Sequence, residues 1–165
     1  MHYKAGMPEN SIYILTGEIN TGKTTAIANW ANGREDIFGI LSPKVWDKRV
    51  FQNIETGEQF DMEAIANETD VVKIGRYQFS AKAFDKASSV LQDALQKPKG
   101  WLIVDEVGPL ELQEKGFYNV MKEIIDGKNN GLKKLFVIRE SLVTELISFF
   151  QIKNYKILRL PLEIE

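Results

Sequence analysis

The stretch Gly17-Glu18-Ile19-Asn20-Thr21-Gly22-Lys23-Thr24 meets the phosphate-loop pattern G-x-x-x-x-G-K-[ST] at every fixed position. Each fixed residue type answers a chemical need. Glycines let the backbone curl until its N–H groups face phosphate oxygens. A lysine at Lys23 reaches β- and γ-phosphates, and the Thr24 hydroxyl can ligate Mg²⁺. Thr25 continues the segment into a helix, whose dipole turns its positive end towards the same phosphates. These residues imply a nucleoside triphosphate as ligand.

A phosphate loop alone is compatible with a kinase, a GTPase or an ATPase. Asp105-Glu106, directly after the apolar run Trp101-Leu102-Ile103-Val104, narrows the choice. A carboxylate at the C-terminal end of a strand in an open α/β sheet lies beside the phosphate loop. Asp105 can then hold Mg²⁺ together with Thr24, usually through water. Glu106 is placed to polarise a water for attack on the γ-phosphate. A phosphotransferase gains nothing from an activated water, which competes with its acceptor. For an acidic pair after an apolar strand, a plain turn into solvent is the simpler reading; the phosphate loop upstream tips the balance towards the nucleotide.

Charge left on the γ-phosphate oxygens calls for a further cation. The candidates are Arg139, at the end of the strand Leu135–Ile138, and Arg76, in Ile74-Gly75-Arg76-Tyr77. Each has an alternative as an ordinary surface arginine. Trp46 and Tyr77 could stack on a base, although aromatics in short β elements more often cover a core. Glu111 suits support of a loop or helix start better than chemistry, and His2 receives no role.

The elements that must position these groups alternate along the chain. The apolar run Ile12–Leu15 predicts a buried strand before the loop, and Thr24–Asn32 a helix stopped at Asn32-Gly33. Ile37–Leu41 is the next strand. Residues 44–79 read as a β-rich insertion: 45–54 and 59–62 predict a hairpin turning at Gly57, and Val71–Phe79 a further extended stretch. Ser80 is placed to cap a helix carrying Phe84, Ala87, Leu91, Ala94 and Leu95. Helix 117–125, strand 135–138, a helix capped by Ser141 and a last strand, 157–160, complete the order. Apolar strands alternating with amphipathic helices predict a mostly parallel sheet covered on both faces. At 165 residues this is one domain, within which the insertion is too short to bury a core of its own.

Composition excludes several classes. There are no cysteines, so disulfides, thiolate metal sites and cysteine nucleophiles are out. A net charge of −2 gives no dedicated nucleic-acid surface; Lys97 and Lys99 around Pro98 read as a solvated loop. No run reaches membrane-spanning length, and the first residues lack the apolar core of a signal peptide. The expected location is cytoplasmic. Protein partners are not legible.

Taken together, the motifs resemble the THEP1-type nucleoside-triphosphatases. The matching segments are Gly22-Lys23-Thr24-Thr25, Gly39-Ile40-Leu41-Ser42-Pro43, Thr56-Gly57-Glu58, Ile74-Gly75-Arg76-Tyr77 and Asp105-Glu106-Val107-Gly108-Pro109-Leu110-Glu111. They occur in order between about residue 11 and residue 125, and the last is the most specific; the end of the chain matches less well. The resemblance implies a RecA-like P-loop NTPase fold, a three-layer α/β sandwich, and Mg²⁺-dependent hydrolysis of NTP to NDP and phosphate. It implies no particular base, and an N/T-K-x-D guanine motif is absent. One departure is Glu18-Ile19-Asn20, where the family's loop is richer in small residues. A carboxylate there repels polyphosphate unless Glu18 turns to solvent, whereas Asn20 tolerates a left-handed backbone. Two rival readings are a nucleoside or nucleotide kinase, disfavoured by the lack of an arginine-rich lid, and a nucleotide-dependent switch with slow hydrolysis.

Overall fold

A computed structural model describes residues 11–127 and 131–164 of the chain. His2 lies outside the described residues. The first apolar run forms β1 (Ser11–Leu15), and the chain passes through the phosphate-loop pattern into α1 (Lys23–Ala31). β2 (Ile37–Leu41) follows. Next come five short strands: β3 (Lys44–Val45), β4 (Lys48–Asn53), β5 (Gln59–Asp61), β6 (Val71–Ile74) and β7 (Tyr77–Ser80). α2 (Ala81–Ala94) leads to β8 (Gly100–Asp105), α3 (Pro109–Leu112) and α4 (Tyr118–Asp126). β9 (Leu132–Val137), a 3₁₀ turn (Glu140–Leu142), α5 (Val143–Phe149) and β10 (Tyr155–Leu158) close the order.

The main sheet runs β10-β1-β9-β8-β2-β4-β3, with β5 also paired to β4. β10, β1, β9, β8 and β2 are mutually parallel, and β4 joins β2 antiparallel through Ile40–Asn53 and Leu41–Gln52. The fold is α/β with a mostly parallel sheet. The insertion extends this sheet instead of standing apart from it.

Period-two alternation divides each central strand between two cores. Ile12 and Ile14, Leu102 and Val104, and Phe136 face one side, where α2 and α4 supply Phe84, Leu91, Val120 and Ile124. Leu15, Ile103, Leu135 and Val137 face the other, against Ile27 and Trp30 of α1 and the C-terminal Leu160 and Leu162. Both faces are therefore covered, the first far more heavily than the second. The near-continuous apolar runs of the parallel strands follow from burial on both sides.

The structure refines several local expectations. Residues 45–54 are not one strand: the backbone turns at Trp46-Asp47, with φ of 51° and 64°. No glycine marks that turn, and tryptophan carries no signal for a positive φ. Val71–Phe79 is a hairpin, with Val72 opposite Phe79 and Ile74 opposite Tyr77, so Gly75-Arg76 is its tip. The turn at Thr56-Gly57 is as expected, and the Asn53 side chain accepts from the Glu55 N–H at 3.0 Å. Ser80 does cap α2, accepting from the Ala83 N–H at 3.2 Å. Ser141 is not an N-cap: it lies inside the 3₁₀ turn Glu140–Leu142, and α5 starts after Leu142 without a side-chain cap. The chain leaving β9 is held by the Glu140 N–H to the Gly17 carbonyl at 3.2 Å, and it tightens into the 3₁₀ turn before α5 begins. No helix among the described residues is long and apolar enough to cross a membrane.

Candidate active site

Parallel strands bring their C-terminal ends to one edge of the sheet. β9 lies between β1 and β8, so the segment after β9 enters between the phosphate loop and Asp105-Glu106. It is hydrogen-bonded to both. The Glu140 N–H donates to the Gly17 carbonyl, and the Val107 N–H donates to the Val137 carbonyl at 2.9 Å. The phosphate loop and the acidic pair thus do not adjoin through backbone. Their side chains bridge the gap, with the Thr24 hydroxyl donating to Asp105 Oδ2 at 2.8 Å.

The loop keeps its shape despite its unusual middle. Asn20 takes φ of 60°, the left-handed conformation its side chain tolerates. Gly22, at φ 87°, caps α1, and its carbonyl accepts from the Ala26 N–H at 2.9 Å. A side chain at that φ is strained, which explains the glycine. The Thr21 hydroxyl ties back to the Glu18 carbonyl at 2.8 Å. Lys23 is buried; its Nζ donates to the Glu18 carbonyl at 2.5 Å and lies 3.3 Å from Thr21 Oγ1. Ile19, Asn20, Thr21, Gly22, Thr24 and Thr25 line a cleft of about 350 Å³ that Lys23 also faces. Gly17 and Glu18 offer carbonyls to Lys23 but stay off the cleft wall, and Glu18 is exposed. The carboxylate that threatened repulsion therefore points to water.

Asp105 is fully buried. Burial pushes its carboxyl up to about 6, against the Ser42 N–H and the Thr24 hydroxyl, which favour the ionised form. Ser42 donates from its N–H to Asp105 Oδ2 at 3.1 Å and from its hydroxyl to the Asp105 carbonyl. Ser42 is a residue that charge-based reasoning passes over. Its signal is position, since it sits directly after β2 on the same sheet edge as Asp105.

Glu106 lies on the cleft wall with Arg139, whose Nη2 is 3.1 Å from Glu106 Oε1. The two side chains are 27% and 33% exposed, so the pair is partly shielded from water. Arg76 is elsewhere. At the tip of the β6–β7 hairpin it donates to the Tyr77 hydroxyl at 3.2 Å and sits over the Tyr77 ring. It lines neither the cleft nor the cavity beside it. A different arginine takes the second place. Arg49 of β4 faces the cleft, and its charge favours ionised Asp105. Arg49 shares a strand face with Phe51, two residues on, so the alternation that buries Phe51 aims Arg49 at the site. Trp46 is 93% exposed and off the cleft, and Tyr77 borders the adjoining cavity.

Glu111 fixes the segment that follows Glu106. Its Oε1 accepts from the Gly108 N–H at 2.7 Å and its Oε2 from the Phe117 N–H at 2.8 Å. Gly116 is needed beside it, because a Cβ there would lie 2.3 Å from Glu111 Oε2. Burial nevertheless raises the Glu111 carboxyl from 4.5 to about 7. The group then binds its proton more tightly folded than unfolded. Its stabilisation is full below pH about 4.5 and falls as pH rises towards 7, by roughly 1.4 kcal/mol per pH unit. Unfolding free energies of wild type minus Glu111→Gln, measured from pH 4.5 to 7, are expected to decline by roughly 3 kcal/mol. A difference that stays flat with pH would show that the two N–H donors outweigh burial.

Comparison with known proteins identifies the family and the fold. The pattern of the NTPase family matches residues 12–163. The chain is 28% identical over 141 residues to nucleoside-triphosphatase THEP1 of Methanopyrus kandleri, covering 81% of this chain and 75% of that protein. It is 27% identical over 124 residues to nucleoside-triphosphatase THEP1 of Thermotoga maritima, covering 71% and 69%. Its fold is similar to the crystal structure of THEP1 from Aquifex aeolicus, with a TM-score of 0.71 at 22% identity over 90% of this chain and 89% of that one. It is also similar to the solution structure of a human cancer-related nucleoside triphosphatase, with a TM-score of 0.67 at 20% identity over 93% and 90%. With its phosphate loop, acidic pair and sheet order on one edge, and with the family pattern running nearly end to end, this chain belongs to the NTPase family, alongside the THEP1-type nucleoside-triphosphatases.

Proposed function

We propose that the protein hydrolyses nucleoside triphosphates, ATP and GTP among them, to nucleoside diphosphate and phosphate in a Mg²⁺-dependent reaction. The carrying observation is convergence. Lys23, the Thr24–Asp105 contact and the Glu106–Arg139 pair all face one cleft.

In this reading the loop N–H groups and Lys23 hold the β- and γ-phosphates. Glu106 orients a water towards the γ-phosphorus and takes its proton as the new P–O bond forms and the bridge to the β-phosphate breaks. Arg139 holds Glu106 in place and offers positive charge at the γ end. The metal fits the donor set. Thr24 and Asp105 present two oxygens 2.8 Å apart, and no group of three or more His, Cys, Asp or Glu among the described residues could cage an ion. Mg²⁺ is commonly held by one or two protein oxygens with phosphate and water completing the set. Held by Thr24 and Asp105, it would supply positive charge that neutralises the phosphates. Lys23, Thr24, Thr25, Arg49 and Arg139 on the cleft wall suit the polyphosphate that all nucleoside triphosphates share.

The test is phosphate release from ATP, GTP, CTP and UTP, with Mg²⁺, with excess chelator, and after Mg²⁺ or Mn²⁺ is restored. Release from all four is expected with the metal, and loss of it without. Full activity in excess chelator would remove the metal from the mechanism. Turnover confined to one base would overturn the broad range.

A further inference from the structure

A second cavity, of about 340 Å³, opens on the far side of Glu106. Ser42, Lys44, Arg49, Glu106 and Arg139 form the wall it shares with the nucleotide cleft. Three cations and one carboxylate thus stand where the two spaces meet. Under the NTPase reading this is where the γ-phosphate ends, because Lys23 and the start of α1 hold the other end. The second cavity differs in its floor. Phe51, Phe79, Phe84 and Phe117 enclose it, with Met62 and Ile74. Phe51, Phe84 and Phe117 pack edge-on or tilted against one another, with centroids 5.0 to 5.6 Å apart. Its mouth carries Asp47, Glu63 and Tyr77. A volume of this order suits a small molecule.

We propose that this cavity seats a second substrate, a nucleoside, whose hydroxyl receives the γ-phosphoryl group in place of water. Phe79 and the exposed Tyr77, stacked with centroids 6.1 Å apart, offer a flat base an aromatic partner, since rings stack offset or edge-on. Asp47 and Glu63 are acceptors for sugar hydroxyls or exocyclic amines. The sequence alone argues that Glu106 favours water over an acceptor; because it lines both spaces, it can accept the proton of a nucleoside hydroxyl as well as that of water. The nucleoside oxygen forms a bond to the γ-phosphorus, the bond to the bridging β-oxygen breaks, and nucleoside diphosphate leaves with the electron pair. The products are a nucleoside monophosphate, a nucleoside diphosphate and one proton. Without nucleoside, water fills the acceptor position and hydrolysis results. The inference rests on the NTPase reading.

The test uses the full chain, Mg²⁺ and γ-labelled ATP, with and without adenosine, guanosine, cytidine, uridine or thymidine. Free phosphate and labelled nucleoside monophosphate are followed together. Labelled monophosphate from at least one nucleoside is expected. Ile74→Trp, which fills the cavity from the half-buried hairpin, should raise the nucleoside KM at least about tenfold while nucleoside-free phosphate release continues. Glu63→Gln, on the partly exposed rim, should raise the same KM without disturbing the fold. Phosphate release without any labelled monophosphate would overturn the acceptor cavity and leave the NTPase reading intact. Absence of both products would overturn the two together. Transfer with an unchanged nucleoside KM in both variants would place the acceptor elsewhere and overturn this assignment.

Discussion

Glu106→Gln is expected to lower kcat by about 10²- to 10⁴-fold, the usual range for a positioned general base, or roughly 3–5 kcal/mol of barrier. The substitution is close to isosteric. The amide oxygen can still accept from Arg139 Nη2, which lies 3.1 Å from Glu106 Oε1, so the pair keeps its shape and loses its charge. What disappears is the basicity that takes a proton from water. NTP affinity should hold or rise, because one negative charge beside the γ-phosphate is removed. A loss in kcat with an unchanged or lower Kd is the signature of a group acting in the chemical step. A trapped Mg²⁺–NTP complex should accumulate in the variant. Single-turnover phosphate release and equilibrium NTP binding check both halves. Wild-type turnover in Glu106→Gln would show that the water is positioned by another group.

Lys23→Ala is expected to cost both binding and rate. Lys23 is the one buried lysine of the loop, and its ammonium is poised over the loop carbonyls of Gly17 and Glu18. A hydrogen bond to a charged partner contributes about 1.5–3 kcal/mol, so NTP binding should weaken by roughly 10- to 100-fold. Turnover should fall further, by about 10²- to 10³-fold, as for loss of a donor aimed at developing charge. The fold should survive. Among the described residues the Lys23 side chain bonds within its own loop, and Gly22 and the Ala26 N–H still start α1. Circular dichroism and the melting temperature should therefore stay near wild type. A variant that binds and hydrolyses NTP normally would overturn the phosphate-loop assignment.

The parts of this protein legible in its sequence are those governed by neighbours along the chain. The phosphate loop needs glycine at fixed spacings, a strand before it and a helix after it, and all three lie within residues 11–31. The left-handed Asn20 was open to the same local reasoning, since few side chains tolerate that backbone. Asp105-Glu106 stood out because an apolar run ends in two charges. The alternation of strands and helices made a mostly parallel sheet legible, and Ser80 capped its helix as its type suggests.

Tertiary structure decided which distant residues meet. Strand order is set by long-range pairing that a local pattern does not encode. The position of β9 between β1 and β8 is what brings Arg139 onto Glu106. A hairpin tip carries Arg76 off to Tyr77, although its motif is as suggestive on paper. Arg49 reaches the site because β4 joins the sheet edge next to β2, and its face is dictated by Phe51 two residues along. Ser42 reaches Asp105 for a similar reason, as the end of β2 lies next to the end of β8. The second cavity is the furthest from the sequence. Its walls come from the insertion, from α2 and from the segment after β8, and each of those phenylalanines reads alone as ordinary core. A local pattern specifies what a residue can do; only packing of segments remote in the chain specifies what it faces.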